Sequence, residues 1–515
     1  MVATPVILKS LPGIKRDGTQ FEGDNYIDGQ WVRFQRGLPR KIGGYASVNN
    51  YLTEISRGVF FYSSNALIYS HTGSKSLLER FTLDVNGNAS ASSNRTPAGF
   101  VIDDNNVWMF DNLYNSSSTA NTIVAHVAPN LASGSNTTGG NIYSGDLFGT
   151  GALTAVTPPV GGNVSGGVVV LHPYLFAFGG DGNIAWAASG TTDFAAAGSG
   201  IVRATGQKIV KGIPLRGGSG ASPAGLFWSL DSVIRATFVG GSAVFQFDTL
   251  STQGSIISPN SVIDYDGIYF WCAVDRFMMF NGVVREVPNN MNVNWFFDNI
   301  NKTYAQKVFA VKYPRWGEIW WHFPFGDATE CTHAVIYNVR ENTWYDTELP
   351  NGGRSAGAFT QEYANPLLTG VEEGNFGYTL WRHDYGVNEV NGVFINSIPS
   401  YFETADISFI AQQGANKVVR CSMIEPDFVQ AGEMSMQITG RANARAKNVE
   451  GDIRTFPETA TSVGGGEQVI ELQGNNQRRE FRLKFSSNVI DGDYQMGQII
   501  AHFEPGDGTY LGPNP

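Results

Sequence analysis

Short apolar runs separated by turn-forming residues recur along most of the chain. The runs Gly58–Tyr62 and Asn65–Tyr69 are separated by two serines, and the runs Phe100–Ile102 and Val107–Phe110 flank four polar residues, Asp103–Asn106. An apolar run, a polar turn and a second apolar run predict a β-hairpin. The pattern therefore predicts consecutive antiparallel strands from about residue 51 onwards.

The same pattern continues at intervals of about 40 to 50 residues, which is the spacing of four-stranded propeller blades. The further predicted strands are Tyr174–Phe178 and Asn183–Trp186; Gly225–Ser229 and Val233–Phe238; Tyr265–Trp271 and Arg276–Gly282; and Glu318–His322, His333–Tyr337 and Trp344–Asp346. We therefore predict an all-β fold built on a β-propeller, with tandem β-sandwiches or a β-helix as the alternatives. Residues 289–307 mix aromatic residues with asparagines, which predicts a short capped helix or a loop.

From about residue 400 apolar and polar residues alternate, which is typical of antiparallel strands with one exposed face. The alternating segments are Ser400–Phe409, Lys417–Phe428, Met434–Ile438, Glu467–Leu472, Phe481–Phe485 and Gln498–Phe503. We therefore predict three regions: an N-terminal platform or docking segment (1–50), a β-propeller (51–399) and a β-sandwich-like platform domain of about six strands (400–515).

The composition agrees with short strands and tight turns. Of 515 residues, 12% are aromatic, 61 are glycine and only 16% are charged, whereas long helices are rich in Ala, Leu, Glu and Lys. The net charge of −11 argues against tight non-specific DNA binding, which needs a basic surface. It does not exclude a protein that surrounds DNA while making weak contacts with it.

Charge is unevenly distributed along the chain. Residues 96–202 contain six aspartates and no lysine or arginine. Within them, residues 130–167 are rich in Gly, Ser, Thr and Asn, which predicts a flexible surface loop or, alternatively, an acidic loop that faces a polyanion without binding it. Up to residue 41, seven basic residues outnumber four acidic ones. That segment is predicted either to dock on an acidic neighbour or to be an ordinary solvated pair of strands.

Cysteines and terminal segments limit the compartments and sites to consider. Cys272, Cys331 and Cys421 are widely spaced and form no CxxC pair. We therefore expect buried thiols in a reducing compartment rather than a zinc ribbon or a disulfide scaffold. The first residues lack the pattern of a signal peptide, and no run of about 18 apolar residues predicts a membrane span.

No catalytic motif is predicted: the sequence has no HExxH and no GxxxxGK[ST]. His322 and His333 flank Cys331, but their spacing matches no zinc pattern, so packed side chains are expected there. Asp264-Tyr265-Asp266 and Asp181-Gly182-Asn183 offer clustered oxygens, but neither continues into a full calcium loop, so both are interpreted as hairpin turns. We predict no metal site, no cofactor and no catalytic residue.

Acidic residues beside the aromatic strands raise the possibility of a glycosidase. Four acidic residues adjoin aromatic strands and would line the cleft of a propeller glycosidase: Asp231, Asp264, Asp275 and Glu318. A sialidase would also need arginines, for which the candidates are Arg235, Arg276 and Arg315, but the repeated Ser-x-Asp-x-Gly-x-x-Trp turn is absent. Asp275-Arg276 and Arg340-Glu341 are interpreted as local ion pairs. The prediction from these observations is that the chain is not an enzyme.

Two groups of residues resemble a known family. The first is Asp24-Asn25-Tyr26, Trp31-Val32-Arg33-Phe34 and Gly37–Tyr45; the second is Lys208–Gly212, Phe227–Asp231, Ser258–Val262, Asp266–Trp271, Asp275–Phe277, Gly317–Trp321 and Asn342–Thr347. Together they resemble the tail nozzle, or tail hub, proteins of short-tailed bacteriophages over about residues 10–410. The last hundred residues are placed by analogy only.

The resemblance implies a structural protein of the virion tail, made in the host cytoplasm. It implies a homo-oligomer, a hexameric ring, below the adaptor ring that sits on the portal. The ring would close the DNA channel, let double-stranded DNA pass during ejection without sequence-specific contact, and carry or border tail fibres or tailspikes. No catalytic residue is implied. The alternatives are a carbohydrate-active or receptor-binding propeller, such as a tail fibre module, and a propeller scaffold for protein partners.

Overall fold

A computed structural model describes residues 4–19, 23–100, 102, 106–116, 119–128, 142–160, 164–216, 222–350, 352–374, 377–408, 418–441, 445–457, 470–472 and 477–506. Almost every regular element in these residues is a β-strand. The first seven strands are β1 (Thr4–Leu8), β2 (Leu11–Ile14), β3 (Asn25–Tyr26), β4 (Asp28–Gln30), β5 (Val32–Gln35), β6 (Leu38–Lys41) and β7 (Tyr45–Leu52).

The next twelve strands form three four-stranded antiparallel sheets in chain order, blades 1 to 3. They are β8 (Gly58–Ser64), β9 (Leu67–Gly73), β10 (Leu78–Leu83) and β11 (Ser93–Asn94); β12 (Val107–Asn115), β13 (Ala120–Ala128), β14 (Ile142–Asp146) and β15 (Thr154–Ala155); and β16 (Gly167–Leu171), β17 (Tyr174–Phe178), β18 (Asn183–Trp186) and β19 (Gly200–Arg203).

Blades 4 to 6 repeat the same order. They are β20 (Ile209–Pro214), β21 (Ala224–Ser229), β22 (Val233–Gly240) and β23 (Val244–Ser251); β24 (Ile263–Tyr265), β25 (Ile268–Cys272), β26 (Phe277–Phe280) and β27 (Val284–Glu286); and β28 (Phe309–Tyr313), β29 (Glu318–Phe323), β30 (His333–Asn338) and β31 (Thr343–Glu348). A helix, α1 (Val293–Asn299), and a 3-10 turn (Lys302–Lys307) link blades 5 and 6, where a short helix or a loop was predicted.

The seventh blade joins the two ends of the propeller. Its first three strands are β32 (Arg354–Thr360), β33 (Asn365–Gly374) and β34 (Gly377–His383), and β7 supplies the fourth by pairing antiparallel with β34. A further hairpin, β35 (Glu389–Asn391) and β36 (Phe394–Asn396), extends this sheet beyond β7. Among the described residues the propeller therefore has seven blades, closed by a strand that lies before residue 53 in the sequence.

The first strand of each blade lies nearest the propeller axis. Each of these inner strands is the last strand of its sheet on one side. Inner strands of neighbouring blades pack side by side in a ring that ends with β32 against β8, and between blades 4 and 5 the 3-10 turn Pro259–Ser261 contacts β20. Aromatic side chains fill the space between blades. Trp228 and Trp271 meet across blades 4 and 5 with ring centres 5.5 Å apart, which is a favourable separation for an aromatic pair.

Apart from the parallel pair β2–β3, the remaining strands form two sheets that use both ends of the chain. They are β37 (Ser400–Glu403), β38 (Ile407–Ser408), β39 (Val419–Ala431), β40 (Met434–Arg441), β41 (Val449–Phe456), β42 (Ile470–Glu471), β43 (Gln477–Arg478), β44 (Glu480–Ser487) and β45 (Asp493–Pro505). One sheet joins β39 and β45 with β1, β5 and β6, and the other joins β37, β40 and β44 with β4. Their buried faces meet around Phe402, Phe428 and Phe485, which makes a β-sandwich.

The all-β class, with a propeller and a β-sandwich-like platform, is therefore confirmed. Two local predictions are wrong. Residues 142–146 and 154–155, assigned to a flexible loop, are strands of blade 2, because Val124 and Ala125 on β13 offer backbone groups that β14 pairs with. Residues 130–141 and 161–163 of that loop lie outside the described residues. Phe100 and Ile102 are not in a strand, and β12 pairs with β13 instead; Val101 and residues 103–105 of that predicted hairpin also lie outside the described residues.

Candidate functional site

The four acidic residues weighed for glycoside hydrolysis are spread over separate sites. Asp231 accepts a hydrogen bond from Ser229 within a turn (2.8 Å). Asp264 pairs with Arg216 (2.8 Å), and Asp275 forms the predicted exposed pair with Arg276. Glu318 is fully buried in a different part of the molecule. The structure does not bring these carboxyl groups together as a catalytic pair.

The arginines weighed for a sialidase are also dispersed. Arg235 pairs with Asp248 on the neighbouring strand of blade 4 (3.2 Å), and Arg315 lies over the ring of Trp316. The predicted pair Arg340-Glu341 is wrong. Glu341 instead accepts hydrogen bonds from the backbone of Arg36 and Gly37, because the turn between β30 and β31 abuts the turn between β5 and β6.

The candidate metal residues are packed or form turns. His322 is buried and stacks on Phe309 with ring centres 4.5 Å apart, and burial lowers its pKa to about 3. His333 stacks on Phe325. Asp264 accepts a hydrogen bond from the backbone of Gly267, as expected of a hairpin turn. Within the described ranges, no group of three His, Cys, Asp or Glu side chains is placed to hold a metal ion.

A cavity of about 160 Å³ lies on the propeller axis. Residues of the inner strands β8, β12, β20, β28 and β32 line it, and Lys211 and Asn260 contribute polar side chains. Its volume is below the ~300–1,000 Å³ of pockets for drug-sized ligands. Each inner strand also turns one unpaired edge towards the axis, so backbone N–H and C=O groups face this space.

Two ionisable groups on inner strands have perturbed pKa values. Burial raises the pKa of Asp111 to about 6, although the carboxylate accepts hydrogen bonds from the backbone of Val170 (2.8 Å) and Asn112 (2.8 Å). Burial lowers the pKa of Lys211 to about 8, and the charge of Asp111 opposes that shift. No described residue hydrogen-bonds the Lys211 amine. This acid and this base are the groups near the axis that are best suited to bind or protonate a ligand.

A second charged group lies where the inner strands begin. Arg57, just before β8, makes two hydrogen bonds to Glu330 (2.9 and 2.8 Å), and Lys307, just before β28, makes a third (2.6 Å). These contacts link blade 1 to the connections around blade 6. In the ring, blade 7 lies between these two blades, and the two cations of the group outnumber its one anion.

The most extensive buried network joins the propeller to the sandwich. Arg33 on β5 pairs with Glu318 on β29 (3.0 Å) and with Asp384 after β34 (3.0 Å). Trp320 and Tyr345 also donate hydrogen bonds to Glu318. Burial raises the pKa of Glu318, and Arg33 opposes this shift. We call this group of five residues the junction network.

A second ion cluster lies beside the junction network. Arg16 pairs with Asp346 (2.9 Å) on the outer strand of blade 6 and with Asp28 (2.6 Å) on β4. Asp346 is buried, and burial raises its pKa while Arg16 opposes the shift. The basic N-terminal segment therefore binds acids of its own chain.

Sequence reasoning did not single out Asp111, Lys211, Arg57 or Glu330. Asp111 had one visible signal, an acid that, with Asn112, interrupts the apolar residues of Val107–Tyr114. The other three gain their partners from blades that are distant in sequence, so no local pattern marks them. The buried cysteines were anticipated: all three are free and buried.

Comparison with known proteins gives limited information. No family model matches the sequence, and no curated protein matches it. Among solved structures, the chain is similar to a crystal structure of an exo-β-1,3-galactanase from Phanerochaete chrysosporium with galactose. The identity is 12%, the TM-score is 0.32, and the match covers 89% of this chain and 100% of that one.

This comparison corrects one prediction. The prediction that the chain is not an enzyme is not retained, because the solved structure that it resembles is an enzyme. At 12% identity and a TM-score of 0.32, the resemblance assigns no substrate, reaction or catalytic residue to this chain. Separately, no helix in the described ranges is long and apolar enough to cross a membrane.

Proposed function

We propose that the chain is the tail nozzle of a short-tailed bacteriophage, a ring-forming virion protein below the adaptor ring that retains DNA and then lets it pass. The observation that carries the proposal is spatial. The N-terminal residues that resemble this family contact two of the resembling groups from the middle of the chain, and they do so at the junction between the propeller and the sandwich.

The contacts at this junction are specific. Trp31 lies against Trp320 with ring centres 6.0 Å apart, and its backbone N–H donates to Thr347 (2.8 Å). Phe34 lies against Tyr345 at 5.4 Å. The two groups of residues are about 300 positions apart in sequence. One architecture, in which a platform is fixed to a propeller, would explain why both groups occur in the same chain.

The axial cavity of a single copy is too small for DNA. A volume of about 160 Å³ cannot admit a DNA duplex, whose major groove alone is about 12 Å wide. DNA would therefore pass through an opening enclosed by several copies. Blades 2 and 3 provide a suitable wall: Asp146, Asp181 and Asp193 are exposed there, and residues 96–202 contain no base that would hold phosphates.

The proposal includes the adaptor ring and tail fibres or tailspikes as partners, and the virion tail as the location. Mass photometry of the purified chain, alone and with adaptor protein, is expected to show a hexamer or a complex of a hexamer with the adaptor ring. Mass spectrometry of purified particles is expected to detect the chain. A chain that is absent from particles, and that stays monomeric with the adaptor, would refute the proposal.

A second candidate is a carbohydrate-active or receptor-binding propeller. The observation that favours it is the acid and base near the axis, since a carboxyl with a pKa of about 6 is suited to general acid catalysis near neutral pH. A glycan array and a hydrolase screen test it, with Asp111→Asn as the variant expected to lose activity. Absence of binding and hydrolysis with the wild-type chain would eliminate this candidate.

A further inference from the structure

The hairpin β35–β36 exposes apolar side chains at the edge of the seventh blade. Val393 is 88% exposed, Phe394 59% and Ile395 51%. β36 is the last strand of its sheet, so no other described strand pairs with its outer backbone groups. Edge strands are usually protected by charge, proline or a cover, yet residues 390–398 contain no charged residue and no proline.

A second apolar surface lies almost opposite the hairpin. Val239 is 51% exposed in the last residues of β22, beside the turn to β23 in blade 4, and Val283 is 68% exposed at the turn that follows β26 in blade 5. Blades 4 and 5 are neighbours in the ring, so both positions lie on the same side of the propeller. The surrounding segments, 236–247 and 277–284, contain no charged residue.

Strand directions place both surfaces at the same face. β22 and β26 run parallel to the inner strands of their blades, so their following turns lie at the face where inner strands end. β7 is antiparallel to the inner strand β32, so β7 begins at the face where the inner strands end. β35 pairs with Tyr45 and Ala46 at the beginning of β7, so the hairpin lies at this same face. Blade 7 is three steps from blade 4 in a ring of seven.

We propose that the β35–β36 hairpin of one copy docks on the turns after β22 and β26 of the next copy. Two different, uncharged surfaces on opposite sides of a subunit make a head-to-tail contact, which closes into a ring when the rotation between copies allows it. A surface without charge fits an uncharged partner, because burying an unpaired charge is costly. The inference rests on the proposed ring and assigns the surfaces that form it.

Val393→Asp tests the hairpin, and Val160→Asp is its matched control, since Val160 is 89% exposed between blades 2 and 3. Val283→Asp tests the receiving turns. By mass photometry, Val393→Asp and Val283→Asp are expected to weaken self-association at least tenfold, and Val160→Asp to leave it unchanged. Circular dichroism would verify that all three variants remain folded, as expected for substitutions of exposed residues.

Mixing the two interface variants gives the sharpest result. Each variant retains one intact surface, so a mixture of Val393→Asp with Val283→Asp is expected to form a one-to-one dimer that neither forms alone. A monomeric mixture, or variants that associate like the control, would overturn the inference while leaving the ring proposal intact. A monomeric wild type would also overturn it, whereas the nozzle assignment is decided by the content of purified particles.

Discussion

Replacing Arg33 by methionine should weaken the attachment of the propeller to the sandwich more than any change at an exposed ion pair. The Arg33 side chain is 1% exposed, and its partners Glu318 and Asp384 are 0% and 7% exposed. Its guanidinium also lies 4.4 Å from the ring centre of Trp316. Methionine keeps much of the volume and removes the charge, so the substitution tests electrostatics rather than packing.

The expected magnitude follows from the two carboxyl groups left behind. Removing one member of a buried ion pair costs about 3–5 kcal/mol, because the remaining charge is buried without its partner. With a urea m-value of about 2–3 kcal/mol/M, this loss lowers the midpoint by about 1–2.5 M. Trp31, Trp316 and Trp320 all adjoin Arg33 or its partners, so intrinsic fluorescence should report this transition.

The pH dependence of the Arg33→Met variant has a definite direction. Without Arg33, the folded-state pKa of Glu318, already raised by burial, should rise further. A carboxyl group whose pKa is higher in the folded than in the unfolded state loses stability as the pH rises. The destabilisation relative to wild type should therefore be smaller at pH 5 than at pH 8.

Two controls separate charge from packing. Arg276→Met removes an arginine from an exposed pair with Asp275, whose side chains are 46% and 54% exposed, and should shift stability by less than about 0.5 kcal/mol. Adding Glu318→Gln and Asp384→Asn to Arg33→Met should restore at least half of the lost stability, since no buried charge remains. Arg33→Met behaving like Arg276→Met, or no recovery in the triple variant, would refute the electrostatic account.

Three further results are expected. Asp111→Asn should remove a fall in stability of at most about 3 kcal/mol that occurs as the pH rises from 4 to 6, because the folded pKa is about 6; an unchanged urea midpoint-versus-pH curve would contradict this. Gly166→Ala should destabilise the folded protein by about 1–3 kcal/mol or more, since the added Cβ would lie 1.9 Å from the Ile209 carbonyl oxygen. Gly206→Ala is the control, because its Cβ would meet nothing within 4 Å. Equal melting temperatures of the two variants would contradict the prediction. Ellman's reagent should detect no thiol in the native protein and three after denaturation, because burial raises the pKa of each cysteine: Cys272, Cys331 and Cys421.

Local patterns were sufficient to predict the strands of the blades. Tyr174–Phe178 and Asn183–Trp186 are an apolar run on each side of a glycine-containing turn, and they form β17 and β18 with Asp181 at a positive φ in that turn. The spacing of such hairpins reflects the repeated unit of the fold. Both signals are properties of neighbouring residues, so they can be read directly from the chain.

Contacts between distant segments could not be predicted in the same way. β7 completes a blade with β34, more than 300 residues later, and β1 pairs with β45 at the other end of the chain. Neither strand carries a pattern that specifies its partner. The same holds for Arg33: its sequence neighbours predict a strand, but the carboxyl groups that bind it come from two different blades. Asp111 and Lys211, which influence each other's pKa values, also come from two different blades.

The residues that carry the family resemblance and the residues that would carry out a nozzle's work occupy different parts of the molecule. Trp31, Arg33 and Trp320 are almost fully buried, and their contacts explain why these residue types belong together: they fix two domains in one orientation. Assembly and passage of DNA must instead depend on exposed groups, such as Val393 and the carboxylates of blades 2 and 3. Substitutions in the junction network therefore measure stability, and only substitutions at the exposed surfaces can distinguish a ring subunit from another propeller with the same interior.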